Sequence, residues 1–324
     1  CIRDRGHTAH ATAEEAEEET RKMLDVYATF AEEWMAVPVL RGVKTDSEKF
    51  AGADHTYCIE ALMQDNRALQ AGTSHNLGQN FSKAFDLKYQ AESGDWEYAW
   101  NTSWGVSTRL VGAVIMAHGD DNGLILPPRI APTQVVVVPI WRGDDPRDAI
   151  VGKAREVADR LRAAGFAVEV DERDNVNPGF KFAEWELAGV PLRLELGPKD
   201  LEQGSVMSAR RLDRAKEPIS IDGVAEHVER ILDTLQSDLF EAARARREQA
   251  THAVDTWDDF RAKADATAGF LLAHWCGDAG CEETIKNETK ATIRCLAFDQ
   301  PPENGRCIRC DGPSDRRVHF AKAY

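Results

Sequence analysis

What this chain lacks narrows its possibilities before anything it contains is read. No apolar run comes near the roughly 18 to 20 residues needed to cross a bilayer. The opening CIRDRGHTAH has no apolar leader core, so no secretory segment is expected and the cytoplasm is the default compartment. Excess positive charge is missing as well. A net charge of −15 argues against an indiscriminate nucleic-acid binder. It leaves room for a local basic patch, and Arg210, Arg211, Arg214 and Lys216 are the candidates for one.

What is present is ordinary for a globular chain. Its 324 residues suffice for two or three domains with ample cores. Seven cysteines are an odd number, and four of them form two close pairs near the C-terminus. In an intracellular chain such pairs point to metal rather than to disulfides. WCGDAGCEE and RCIRCDG put Cys276, Cys281, Cys307 and Cys310 on tight turns beside glycines. Four thiolates suit a structural Zn²⁺ with no open position for chemistry; two unlinked pairs of buried thiols are the alternative. His274 is the only plausible substitute ligand nearby. Cys295, in the alternating TIRCLAF, reads as core.

Along the chain, Thr12 to Met35 has a capping box, Thr12 with Glu15, and a core stripe of Ala16, Met23, Tyr27, Phe30 and Trp34. Residues 39–100 read as an antiparallel sheet. Within it Gln70, Thr73 and His75 alternate along one strand, and Thr73 and His75 share a face. The stretch NTSWGVSTRLVGAVIMAHGDD then gives a helix apolar on every side, hence buried. Arg109 stands at its mouth beside Ser107 and Thr108 and needs a partner, either a carboxylate or a phosphate. From Gln134 the order strand, helix, strand, helix, strand predicts a small α/β layer fold, which carries no Gly-rich phosphate loop. A long helix runs from Gly223 to about Gln249.

Three of these stretches carry a resemblance. GHTAHATAEEA, GTSHNLGQNFSKAF and the motif around Arg109 resemble the motif 2 loop, the intervening strands and motif 3 of prolyl-tRNA synthetases. These are class II aminoacyl-tRNA synthetases, and the likeness is to the archaeal and eukaryote-like type. The resemblance implies an α+β class II antiparallel sheet with helices over residues 1–130, the C-terminal part of a catalytic domain. An α/β anticodon-binding domain at 131–235 is implied next, then a helix and a small zinc-binding α+β domain at 236–324.

It further implies proline–tRNA ligase activity, with ATP, Mg²⁺, proline and proline tRNA as partners and a homodimer for the full-length enzyme. His10, Ala11, Gln70, Thr73, Ser107 and Arg109 would contact ATP, Arg109 being the catalytic cation, and His75 would lie at the proline site. Glu186, Arg193 and Lys216 would read the anticodon. The family has a Trp-Gln-Glu-type run just before Gly6, where this chain has Ile2-Arg3-Asp4-Arg5. A truncated start is therefore expected, and neither Arg3 nor Arg5 is assigned to catalysis. The rival expectation is a non-catalytic tRNA-binding fragment or accessory protein.

Overall fold

The computed structural model describes residues 3–143 and 145–324; Ile2 and the side chains of Arg3 and Asp4 lie outside the described residues. Strand β1 (Arg3–His10) leads into α1 (Ala13–Thr29). Thr12 Oγ1 accepts from the Glu15 N–H at 3.1 Å, and the Glu15 carboxylate accepts from the Ala11 N–H at 3.0 Å. The buried row of α1 is Ala16, Thr20, Leu24 and Ala28. This corrects the expected aromatic stripe, since Phe30 and Trp34 are exposed. Small side chains four apart let the helix close on the sheet, and a π-turn over Phe30–Trp34 swings the aromatics off that face.

Next come β2 (Leu40–Val43), β3 (His55–Leu62), β4 (Ala68–Gly78), α2 (Asn80–Phe85), the hairpin of β5 (Lys88–Gln90) and β6 (Trp96–Tyr98), β7 (Trp100–Ser107) and α3 (Arg109–His118). The strands pair antiparallel in the order β1-β7-β4-β3-β2, as the sequence led us to expect. Helix α3 is not buried all round. Ala113, Val114 and Ala117 face inward, while Val111 and Ile115, four residues apart, face solvent because only one side of the helix packs.

Residues 118–242, with 34–36, form a compact unit of their own. It contains β8 (Val135–Pro139), α4 (Arg147–Ala163), β9 (Val168–Val170), α5 (Pro178–Leu187), β10 (Leu192–Leu196), α6 (Pro198–Gln203), β11 (Ser205–Arg210), β12 (Lys216–Ser220) and most of α7 (Val224–Gln249). The sheet order is β12-β11-β10-β8-β9, with β8 parallel to both neighbours. Val135 to Val138 are fully buried, as a central strand covered on both faces requires.

The rest of the chain returns to the first sheet: β13 (Thr251–Ala253), α8 (Trp257–Asp265), β14 (Phe270–His274), α9 (Ala279–Thr289), β15 (Thr292–Ala297), β16 (Gly305–Arg306), β17 (Pro313–Ser314) and β18 (Arg317–Ala321). Strand β15 pairs antiparallel with β2, giving nine strands in the order β1-β7-β4-β3-β2-β15-β18-β14-β13. Residues up to 33, 37–117 and 243–324 therefore make one unit. Strand β15 satisfies the backbone groups that β2 presents at its open edge. A buried ion cluster reinforces that join. Glu60 on β3, fully buried, accepts from Lys44 Nζ at 2.7 Å and from Arg294 of β15 at 3.0 to 3.2 Å. Among the described residues no helix is long and apolar enough to cross a membrane.

Candidate functional site

Strand register brings the first group together. Arg5 of β1 and Thr73 of β4 both stand opposite Gly105 of β7; two residues along, His7 and His75 both stand opposite Ser103. Gln70 and Thr73 are three apart, and strict alternation would put them on opposite faces. A bulge resolves this. Ile59 pairs with Gly72 but Glu60 with Gln70, so Ala71 is an extra residue and Gln70 joins the Thr73 face.

The result is a cavity of about 130 Å³ lined by Arg5, Gln70, Thr73, Ser107, Arg109 and the Gly72 and Gly105 backbone. The Arg109 N–H donates to Ser107 Oγ at 3.3 Å, and its guanidinium to the Gln70 carbonyl at 3.3 Å. Arg5 donates to Ser103 Oγ at 3.4 Å. Among the described residues neither arginine has a carboxylate partner. Of the two partners open to Arg109 from the sequence, the protein supplies no carboxylate. Arg5, given no role in the sequence reading, lines the cavity. Its neighbour Gly6 admits no side chain, because the Trp104 ring comes within 2.0 Å of where a Cβ would stand.

Arg5 also lines a second, apolar cavity of about 400 Å³ with His7, Phe50, Leu77, Phe81, Phe85 and Ser103 among its walls. His75 packs against Phe50, ring centroids 5.1 Å apart. Its Nδ1 lies 3.0 Å from Thr56 Oγ1, while its Nε2 is buried with no partner. Burial, helped by the Arg5 charge, lowers its pKa to about 4, so the ring is neutral near pH 7. His10 and Ala11 do not reach these cavities. His10 is bound to Thr8 Oγ1 at 2.7 Å, and Ala11 is held by Glu15 and Tyr89. Five residues of strand separate His10 from Arg5, roughly 17 Å at about 3.4 Å each.

On the α/β unit Glu186, Arg193 and Lys216 do meet, through two residues the sequence reading passed over. Arg193 bonds Glu186 at 3.0 Å and Glu195 at 3.0 Å; Lys216 bonds Glu195 at 2.8 Å. The Arg193 guanidinium lies 4.0 Å over the centre of the Phe182 ring. Three of the four cations of the expected basic patch, all but Arg214, are paired with carboxylates. Arg211 is buried against Asp120 at 2.6 Å, holding that carboxyl well below the usual range, Arg210 pairs with Asp213 and Asp238, and Lys216 with Glu195. In so acidic a chain, nearby carboxylates claim these cations first.

The four predicted cysteines converge. Their Sγ atoms all lie within 4.8 Å of one another, with Cys276 and Cys310 at 3.7 Å. Zn–S bonds of about 2.3 Å in a tetrahedron set sulfurs about 3.8 Å apart, so the donor set fits zinc. Burial pushes the Cys307 thiol up, but backbone N–H groups of Cys310, Arg309 and Cys276 outweigh it and bring it below the ordinary value. His274 stands outside the cluster, occupied by Ser314 and Glu303. Cys295 is fully buried beside Cys58, as its strand pattern suggested.

An antiparallel sheet with such a cation-lined cavity, an α/β unit and a tetracysteine cluster together have the build of a class II aminoacyl-tRNA synthetase fragment. Comparison with known proteins narrows the class. The family described as "Anticodon binding domain" matches residues 134–231, and "Prolyl-tRNA synthetase, C-terminal" matches 257–324. A proline–tRNA ligase of Flavobacterium johnsoniae is 53% identical over 319 residues, covering 98% of this chain and 65% of that protein. One of Prosthecochloris aestuarii is 52% identical, with 67% of its length covered. The prolyl-tRNA synthetase of Cryptosporidium parvum, solved with L-proline and AMP, superposes with a TM-score of 0.94 at 38% identity, over 99% of this chain and 67% of that one. The chain belongs to the prolyl-tRNA synthetase family. It spans about two thirds of the length of these relatives.

Proposed function

We propose that this chain works in the ATP-dependent activation of proline and the transfer of the prolyl group to the 3′ end of proline tRNA. In the first step a proline carboxylate oxygen attacks the α-phosphorus of ATP, and the bond to the departing pyrophosphate breaks. The observation that carries the reading is the pair of arginines, Arg5 and Arg109, lining one cavity without carboxylate partners. Guanidinium groups so placed meet charge that develops on phosphate oxygens, and each such contact contributes a few kcal/mol. Gln70, Thr73 and Ser107 add hydrogen-bonding groups to the cavity wall. The adjoining apolar cavity suits a pyrrolidine ring; His75 is not one of its lining residues and adjoins it through Phe50, against which its ring packs. No carboxylate lines the nucleotide cavity, so its residues do not fit a protein-held Mg²⁺ and no step is routed through one.

Glu186, Arg193 and Lys216 form a bonded set over Phe182 that we assign to anticodon bases: carboxylates and cations for base edges, a ring for stacking. Zn²⁺ held by Cys276, Cys281, Cys307 and Cys310 would act as a cross-link that fixes the end of the sheet. Pairing of two copies is proposed for the full-length enzyme, and the cytoplasm is the proposed compartment. A second reading, tRNA binding without charging, draws on the 65% coverage of the Flavobacterium relative. Calorimetric titration of the chain with ATP is the test, followed by proline-dependent pyrophosphate exchange. ATP binding that Arg109→Ala weakens about tenfold or more supports the nucleotide site. Binding without exchange favours the second reading, and no ATP binding at all removes the first.

A further inference from the structure

A third cavity, of about 390 Å³, lies in the nine-stranded unit away from both cavities already described, where the end of α7 meets the turn between β3 and β4. Its polar lining is Gln64, Asn66, Arg246, Arg247, Gln249 and His252. No carboxylate is among the lining residues, although the chain carries 55 Asp and Glu against 40 Lys and Arg. Neither arginine has an ion-pair partner among the described residues. Arg246 donates only to the Ala117 carbonyl, at 2.5 Å. Three carboxylates act on Arg247 from a distance: Glu32, already bound to Arg41, Glu248, already bound to Arg244, and Asp299. Burial lowers the pKa of both guanidiniums, and at Arg247 it outweighs the more distant carboxylates.

Elsewhere several buried cations are neutralised: Lys44 and Arg294 by Glu60, Arg211 by Asp120, Arg193 by Glu186 and Glu195. From the two unpaired guanidiniums, the amide donors beside them and the missing carboxylates, we infer that the Arg246–Arg247 cavity is an anion site that binds phosphate groups. RNA phosphodiesters and free polyphosphates share that chemistry. Two adjacent guanidiniums match the spaced oxygens of either, and the inference stands whether or not the nucleotide reading does.

The test uses the full chain with Arg109→Ala, so that the nucleotide cavity does not contribute. Sodium tripolyphosphate is titrated by calorimetry and a proline tRNA transcript by filter binding, each with and without Arg247→Gln. A loss of about tenfold or more in tripolyphosphate affinity supports the site with free phosphates as its ligand. A matching loss for tRNA alone, with the salt slope reduced by about one, supports it with the RNA backbone as ligand. Gln249→Glu adds a carboxylate from an exposed position without removing packing, and it must weaken the same binding even if Arg247→Gln fails to fold. If neither substitution changes binding of either probe, the inference is overturned.

Discussion

Replacing Glu60 with alanine removes the one carboxylate that faces Lys44 and Arg294 in a dry part of the sheet. Glu60 is fully buried, and its partners are 7% and 8% exposed. The contacts lie at 2.7 to 3.2 Å, where each opposite-charge pair is worth about 5 kcal/mol at an effective dielectric near 20. Desolvation of three charges offsets much of that in the native state, so the net benefit of the cluster is small. Breaking it is different, because two cations then remain buried and repel; such losses run to about 3–5 kcal/mol. A unit of this size shifts by roughly 2–4 °C per kcal/mol, which puts the expected drop in melting temperature at roughly 6–20 °C. Calorimetric melting at about pH 7 is the assay, with the Lys44→Met, Glu60→Leu, Arg294→Met triple variant beside it. The triple variant should recover most of the loss, since it leaves no charge behind. A Glu60→Ala drop below about 3 °C, or a triple variant no better than the single one, would refute the reasoning.

Three further outcomes are expected. Purified protein with reduced cysteines should hold about one equivalent of zinc; Cys307→Ser should lose it and loosen residues 270–324, while Cys295→Ser should retain it, as metal analysis will read. His75 and His319 are both held near pKa 4 by burial against the ordinary 6.5. The unfolded chain therefore takes up protons that the folded one refuses, so stability is full above about pH 6.5 and falls as pH drops towards 4. Each histidine contributes up to about 1.4 kcal/mol per pH unit in that window. Urea midpoints at about pH 7 and 4.5 should differ, less so in His319→Gln, and a flat profile contradicts the assignment. Arg193→Ala should erase most discrimination between proline tRNA and an anticodon-altered transcript, on the order of 1–3 kcal/mol, and equal ratios in filter binding would remove the anticodon role.

Much of this was legible in the residues. The cysteine spacings anticipated the cluster, the β-branched run QVVVVPI gave the central strand of the α/β unit, and the GTSHNLGQ stretch placed Thr73 and His75 on one face. What stayed hidden depended on register and on neighbours distant in sequence. The Ala71 bulge that turns Gln70 inward leaves no local signal. Arg5 enters the cavity only because β1 pairs with β7, and Arg210 and Arg211 stop being a surface patch only once Asp238 and Asp120 fold against them. The aromatic stripe on α1 failed for a related reason: a π-turn rotates the helix end, and spacing alone carries no trace of it.

The pairing of β15 with β2 also has a consequence for how the protein is made. Lys44 and Arg294, bonded across that join, are 250 residues apart. On the ribosome, β2 emerges with its edge open and must wait while the whole α/β unit is synthesised. That unit, whose strands pair among themselves within residues 135–220, is free to fold as it leaves. The nine-stranded sheet closes last, after most of the chain has been released, and such long-range pairing is slow. Until then the nascent chain exposes an unpaired strand edge beside Lys44 and Glu60, which still lack Arg294. A chaperone that shields sheet edges should thus raise the yield of this chain more than that of the isolated α/β unit.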